Sequence, residues 1–385
     1  MNKSKLNNIG VSIIALGHGV TDLYANFLAA LLPVFANKFS LSKTSIGVII
    51  TIIGLSGSMF QVVFGYIGDK WSRRFFIIIG PTIAGIFMTL IGIAPSYFAL
   101  IFILLIGGLG VSSFHPHAAS TAGNVVSSKR DSSLGIFMAV GTVGYAIGPL
   151  VATSLMSSPS IGPAKMPYFS FVGIITSILL YIYVVPDKSH YQKQETENIF
   201  RIIRPELKLL SILFVIVTFR STTNIVFVNF MSLLIQQRQL SLMIGAVVLF
   251  IFSLSTALGT FLGGYISRWI SRRNILIYSM LLSSPLLIAM LYTDGILFVI
   301  MLILSGIMIS CANPANLALA QEAIPKGAST ASSLIMGAAW GIAAIFAMLF
   351  GVIADLFGGN VVPAMSISAT LPILAVICSL ALPKR

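Results

Sequence analysis

The chain has 385 residues, 57% of them hydrophobic and only 9% charged, and a formal net charge of +13. Soluble domains carry about 25% charged residues, so this composition excludes an ordinary water-soluble enzyme or binding module. The basic balance could suit nucleic acid, but the placement of the charges speaks against that.

Apolar runs of about 20 residues, the length that crosses a bilayer, recur from end to end. In chain order they predict twelve membrane spans at 9–35, 45–68, 75–94, 97–125, 131–157, 167–185, 207–235, 242–267, 274–292, 296–322, 328–356 and 360–382. Met1 to Gly10 is short and basic and runs into a full span, so no cleaved signal is expected. Of the 23 Lys and Arg residues, eighteen fall on the side shared by both termini, four on the other, and Arg220 lies inside a span. That asymmetry predicts cytoplasmic termini in a multi-pass protein of the plasma or inner membrane. The two cysteines, Cys311 and Cys378, match no metal or redox spacing. No phosphate-binding loop of the Gly-x-x-x-x-Gly-Lys type occurs, so no nucleotide cofactor is expected.

The first span holds a polar stripe. His18, Asp22 and Asn26 are spaced by four and share one helical face. A carboxylate in hydrocarbon costs several kcal/mol, roughly 2.5–3.5 on insertion scales, and is kept there for function. Further intramembrane polar groups are His115 and His117 in the fourth span, Arg220, Asn224 and Asn229 in the seventh, and Asn313 and Asn316 in the tenth. Asp22 and Arg220 each lie about 13 residues into their spans, so at about 1.5 Å per residue they share a depth and could neutralise each other.

Between the sixth and seventh spans, residues 186–206 are polar and charged and read as a cytoplasmic linker joining an N-terminal half, 1–185, to a C-terminal half, 207–385. The halves repeat. Gly65-Tyr66-Ile67-Gly68-Asp69-Lys70-Trp71-Ser72-Arg73-Arg74 follows the second span, and Gly264-Tyr265-Ile266-Ser267-Arg268-Trp269-Ile270-Ser271-Arg272-Arg273 follows the eighth at an offset of 199. His115-Pro116 matches Asn313-Pro314 at an offset of 198. Parallel repeats of this kind place a substrate between the halves near the midplane.

The first of these loops resembles the signature loop of the major facilitator superfamily, with Ser72 where a second glycine is usual. Gly144-Tyr145-Ala146-Ile147-Gly148-Pro149 in the fifth span resembles the motif of that superfamily's proton antiporters, although Val151 and Ala152 replace its trailing glycines. Gly17-His18 with Asp22, and Phe114-His115-Pro116, resemble the fosmidomycin-resistance family. Thr21 and His117 depart from that family's pattern. The resemblance implies an all-α fold of twelve transmembrane helices in two pseudosymmetric six-helix halves, with the first, fourth, seventh and tenth helices lining a cavity.

On that basis Asp22 and His18 are expected to couple transport to protons. Arg220, His115, His117, Asn26, Asn224, Asn313 and Asn316 are expected to bind substrate. Asp69, Lys70, Arg73 and Arg74 with Gly144, Gly148 and Pro149 are expected to gate. In the resembled family the aspartate meets the start of the eleventh helix, where Ser329 is a candidate cap; Asp131 reads as a cap of the fifth span. The function implied is proton-coupled export of a small organic anion or drug-like compound by a monomer that needs neither cofactor nor metal. Uptake of such an anion by symport is the alternative. A membrane-embedded metal enzyme using His18, Asp22, His115 and His117 is a more distant one, since no HExxH-like spacing occurs.

Overall fold

The computed structural model describes residues 3–125, 130–184, 203–324, 331 and 333–383. Among the described residues, twelve helical segments are long and apolar enough to cross a membrane, running from Ile9–Lys38 through Lys43–Gly68, Arg73–Ile93, Tyr97–Ala122, Gly135–Ser157 and Gly162–Tyr183, then Arg204–Gln237, Leu242–Ile266, Arg272–Leu291, Gly295–Ala323, Leu334–Leu356 and Val361–Leu380. No strand occurs among the described residues. Hydrocarbon offers no partner to a peptide group, so each segment must satisfy its backbone internally, and helices do so.

The helices are not uniform. The first breaks at Asn26, between Lys3–Ala25 and Phe27–Lys38. The second and eleventh carry π-turns at Leu55–Met59 and Ser333–Ala338. Wider turns of this kind mark places where a helix can bend.

The chain divides into two compact units. One comprises Met1–Phe39 and Ile52–Gln192, the other Ser40–Thr51 and Lys193–Arg385. In the first unit, Ile14, Ile77, Phe114, Ala118, Phe137 and Leu180 form a buried cluster. In the second, Ile216, Val217, Ala312, Ala315, Ile335 and Ala339 belong to the corresponding one.

The repeated loops do the same work twice. Ser72 accepts a hydrogen bond from Phe75 N–H at 3.2 Å and caps the third span, and Ser271 accepts from Asn274 N–H at 3.4 Å and caps the ninth. The serine that departs from the glycine pattern is therefore a helix cap. Arg74 donates to the carbonyl of Tyr181 at 2.6 Å, and Arg273 donates to the carbonyl of Leu380 at 2.8 Å. Both pairs are separated by 107 residues, and the second repeats the first 199 residues on. Each arginine ties the start of one span to the end of the last span in its unit.

Candidate functional site

In the first unit the polar stripe becomes a three-residue centre. Asp22 Oδ2 lies 3.1 Å from His18 Nε2, and Asp22 Oδ1 lies 2.8 Å from His115 Nε2. The first contact follows from helical spacing within one span. The second joins the first span to the fourth. Each imidazole is fixed from behind: His18 donates Nδ1–H to the carbonyl of Phe137 at 2.8 Å, and His115 donates Nδ1–H to the carbonyl of Val111 at 2.7 Å. His18 also stacks on Phe137, with centroids 3.9 Å apart and planes 15° from parallel.

These contacts determine the proton chemistry. A nitrogen facing a carbonyl must carry a hydrogen, so both Nδ1 atoms are protonated and each neutral imidazole offers a lone pair at Nε2. Each lone pair faces a carboxylate oxygen, which is also an acceptor. Every Nε2···O contact therefore needs one added proton to become a hydrogen bond. With neither filled, the centre has charge −1; with one it is neutral, and with both it is +1. The centre can take up protons without any side chain changing place. His18, Asp22 and His115 are also the one such group among the described residues that could hold a metal ion, their ligand atoms lying within 4.8 Å of one another. The 2.8 Å and 3.1 Å separations are those of hydrogen bonds.

The other expected residues of this unit surround the centre or lie apart from it. Asn26 donates Nδ2–H to the carbonyl of Tyr145 at 2.9 Å, holding the break in the first span against the fifth. Gly144 and Gly148 serve the same contact. A methyl group on Gly144 would overlap the carbonyl of Gly19, and one on Gly148 the carbonyl of Leu23. Pro149 follows within the same helix. His117 turns toward the second span instead, with Nε2 2.9 Å from the carbonyl of Phe64 and its ring stacked on Phe76 at 5.3 Å. Arg73 donates to Ser120 at 3.2 Å. The side chains of Asp69, Lys70 and Asp131 lie outside the described residues, as does Ser329.

The second unit holds a buried cation. Arg220 is 2% exposed; its Nη2 donates to Ser221 at 2.8 Å, its guanidinium faces the Trp340 ring at 5.4 Å, and its Nε has no partner. The acids described in this unit are placed elsewhere. Asp294 meets Arg238 at 3.1 Å, Glu322 meets Arg272, Asp355 binds the start of the second span, and Glu206 opens the seventh. Within its own unit, Asp22 has one carboxylate oxygen against each of two imidazoles.

Asn316, 1% exposed, has neither amide atom bonded, and the Oδ1 of Asn313 is likewise unpartnered although its Nδ2 donates to Thr260 at 3.2 Å. Asn224 is part-exposed one turn beyond Arg220, and Asn229 donates to the carbonyl of Ile225 at 2.9 Å. Sequence reasoning missed Trp340, an indole in an apolar run with no periodic signal. It also missed the carbonyls of Phe137 and Val111, because every residue carries one.

Two sets of membrane-embedded polar groups on a twelve-helix frame define a transporter of small molecules. The profile of the Major Facilitator Superfamily matches residues 14–348, and the chain belongs to that superfamily. It is 27% identical over 379 residues to the uncharacterized transporter YfnC of Bacillus subtilis, covering 96% of this chain and 91% of the relative. It is 25% identical over 352 residues to the fosmidomycin resistance protein of Escherichia coli, covering 89% and 85%. Among solved structures, a bacterial homologue of the human lysosomal transporter Spinster superposes with a TM-score of 0.83 at 16% identity, covering 97% and 96%. The nucleoside transporter NupG gives 0.74 at 15% identity, covering 97% and 98%. These matches identify a transporter rather than an enzyme, and the metal-enzyme alternative falls with them.

Proposed function

We propose that the chain exports a small organic anion in exchange for protons by alternating access. The observation that supports this reading is the His18–Asp22–His115 centre, whose two Nε2···carboxylate contacts would each hold a proton at a fixed position within a membrane-spanning segment. Arg220 supplies the other half of the argument. A buried guanidinium costs several kcal/mol of desolvation unless a negative charge offsets it; of the four acids described in its unit, three are bonded elsewhere and Glu206 stands at the start of the seventh span. An anionic substrate group supplies that charge, and the planar fork of arginine suits a carboxylate or phosphonate. Asn313 and Asn316 add unfilled donors and acceptors to the same unit. Export is favoured by the likeness to a drug-resistance protein.

In this reading both termini are cytoplasmic, residues 186–206 link the two halves, the protein works as a monomer, and Asp69 with Lys70 helps close the cytoplasmic side. The test is transport in proteoliposomes under an imposed proton gradient. Substrate driven against the direction of proton flow supports antiport. Substrate carried along with the protons makes the protein a symporter and overturns the export reading.

A further inference from the structure

The side chains that meet in the first unit all present acceptors to one another. Asp22 brings its carboxylate, and His18 and His115 each bring an Nε2 lone pair, at 3.1 Å and 2.8 Å from the two carboxylate oxygens. Acceptors turned on one point are satisfied by a cation. A proton serves two of them at a time, whereas a metal ion serves all three. The ligand atoms are close enough for that, lying within 4.8 Å of one another.

The groups behind the rings point the same way. An imidazole that ligates a metal through one nitrogen nearly always donates from the other, which fixes its tautomer and makes the ligating nitrogen more basic. Both rings are held so: His18 Nδ1–H goes to the Phe137 carbonyl at 2.8 Å, and His115 Nδ1–H to the Val111 carbonyl at 2.7 Å. Packing fixes His18 further. Its ring lies on Phe137 with centroids 3.9 Å apart, and a methyl group on Gly141 would overlap it. His117 stands outside the arrangement, because its Nε2 is turned to the Phe64 carbonyl at 2.9 Å.

The donor set selects the kind of ion. Two imidazoles and one carboxylate suit a borderline divalent transition metal such as Zn²⁺, and supply too few oxygens for Mg²⁺ or Ca²⁺. Zinc bonds place tetrahedral neighbours about 3.3 Å apart, so the two contacts need open by only a few tenths of an ångström. The His18 side chain is 5% exposed, against 16% for Asp22 and 21% for His115. The carboxylate and the His115 ring therefore keep an open edge, where an ion can enter and water can complete its shell.

We propose that His18, Asp22 and His115 form a binding site for one divalent transition-metal ion of the Zn²⁺ class, with water in the fourth position. The ion brings the centre to the same charge as two protons do, and it ties the first span to the fourth. Under the antiport reading it takes the place of the coupled protons and stops the cycle, but the site itself does not rest on that reading.

The test uses the full-length protein in detergent, free of any affinity tag, and reads metal binding rather than transport. Zn²⁺ titrated by calorimetry is expected to bind at one ion per chain, and Mg²⁺ is expected not to compete. Asp22→Asn and His115→Gln are each expected to weaken Zn²⁺ binding at least tenfold to a hundredfold, roughly what losing even a group behind a ligand costs other sites. Both variants keep His117 and His190, so a chance imidazole site would survive in them. X-ray absorption at the zinc edge of the parent should show two imidazole ligands. A parent that takes up no Zn²⁺ overturns the site, and so does binding of parental strength in either variant that is monodisperse. Where neither variant is monodisperse the absorption spectrum decides, and any number of imidazoles other than two overturns the site. An absent Zn²⁺ site leaves proton-driven antiport standing, and failed antiport in proteoliposomes leaves the Zn²⁺ result standing.

Discussion

Gly144 is packed so closely on Gly19 that a methyl group at position 144 would overlap the Gly19 carbonyl oxygen. The first and fifth spans meet there at backbone distance, one step from His18. The three atoms that a methyl group on Gly144 would meet are all backbone atoms of Gly19, which no side-chain rotation can move aside. The fifth-span glycines were expected to gate, and Gly144 and Gly148 touch the helix that carries His18 and Asp22.

Gly144→Ala is therefore expected to push the first span away and disturb the centre with it. Overpacking of this kind costs about 1–3 kcal/mol. Thermal unfolding in detergent should show the loss of stability. Proton-driven transport should fall in the same variant, because the His18–Phe137 contact belongs to the same helix pair.

Asp22→Asn keeps the shape and removes the acceptor that both imidazoles share. Gradient-driven accumulation is expected to vanish, while exchange of substrate for substrate, which needs no net proton movement, persists. A variant that still concentrates substrate as the parent does would remove Asp22 from the coupling step.

Arg220→Ala is expected to weaken anion binding by roughly tenfold to a hundredfold, the range for a lost charge-assisted hydrogen bond. Arg220→Lys should recover little, because a point charge does not reproduce the planar fork or its stacking on Trp340. Affinity measured by calorimetry for both variants checks this, and equal affinity in Arg220→Ala would leave Arg220 a structural cation.

The arginine ties predict a symmetric pair of effects. Arg74→Ala and Arg273→Ala each remove a bond from one span to the end of the last span of a unit. Each should cost about 1 kcal/mol, seen as a drop in Tm of roughly 2–4 °C. Additivity of the two in the double variant would show that the units unfold with independent contributions from these sites.

The spans were legible in the sequence because hydrocarbon demands long apolar helices, and both the expected set and the set found among the described residues number twelve. The His18–Asp22 contact was legible for the same kind of reason, since a spacing of four fixes a shared face. His115 could be recognised as a polar residue of the fourth span, but not as the second partner of Asp22. Its position in that contact depends on how two spans are rotated, and depth along a helix carries no information about rotation. Asp355 gave no signal at all, because an acid at the end of a span looks like an ordinary membrane boundary.

In the His18–Asp22–His115 cluster only the Nε2 and carboxylate atoms face one another. Both Nδ1 hydrogens are committed to carbonyls of the surrounding helices, Phe137 for His18 and Val111 for His115, so neither ring can hand a proton through from one side to the other. A conducting wire needs each imidazole to receive at one nitrogen and release at the other. In the proposed antiport this centre would load and unload at the same Nε2 and carboxylate atoms, as a shuttle does. On that reading protons would travel only as far as the protein turns that single face, and the membrane would stay tight to protons while the cargo waits.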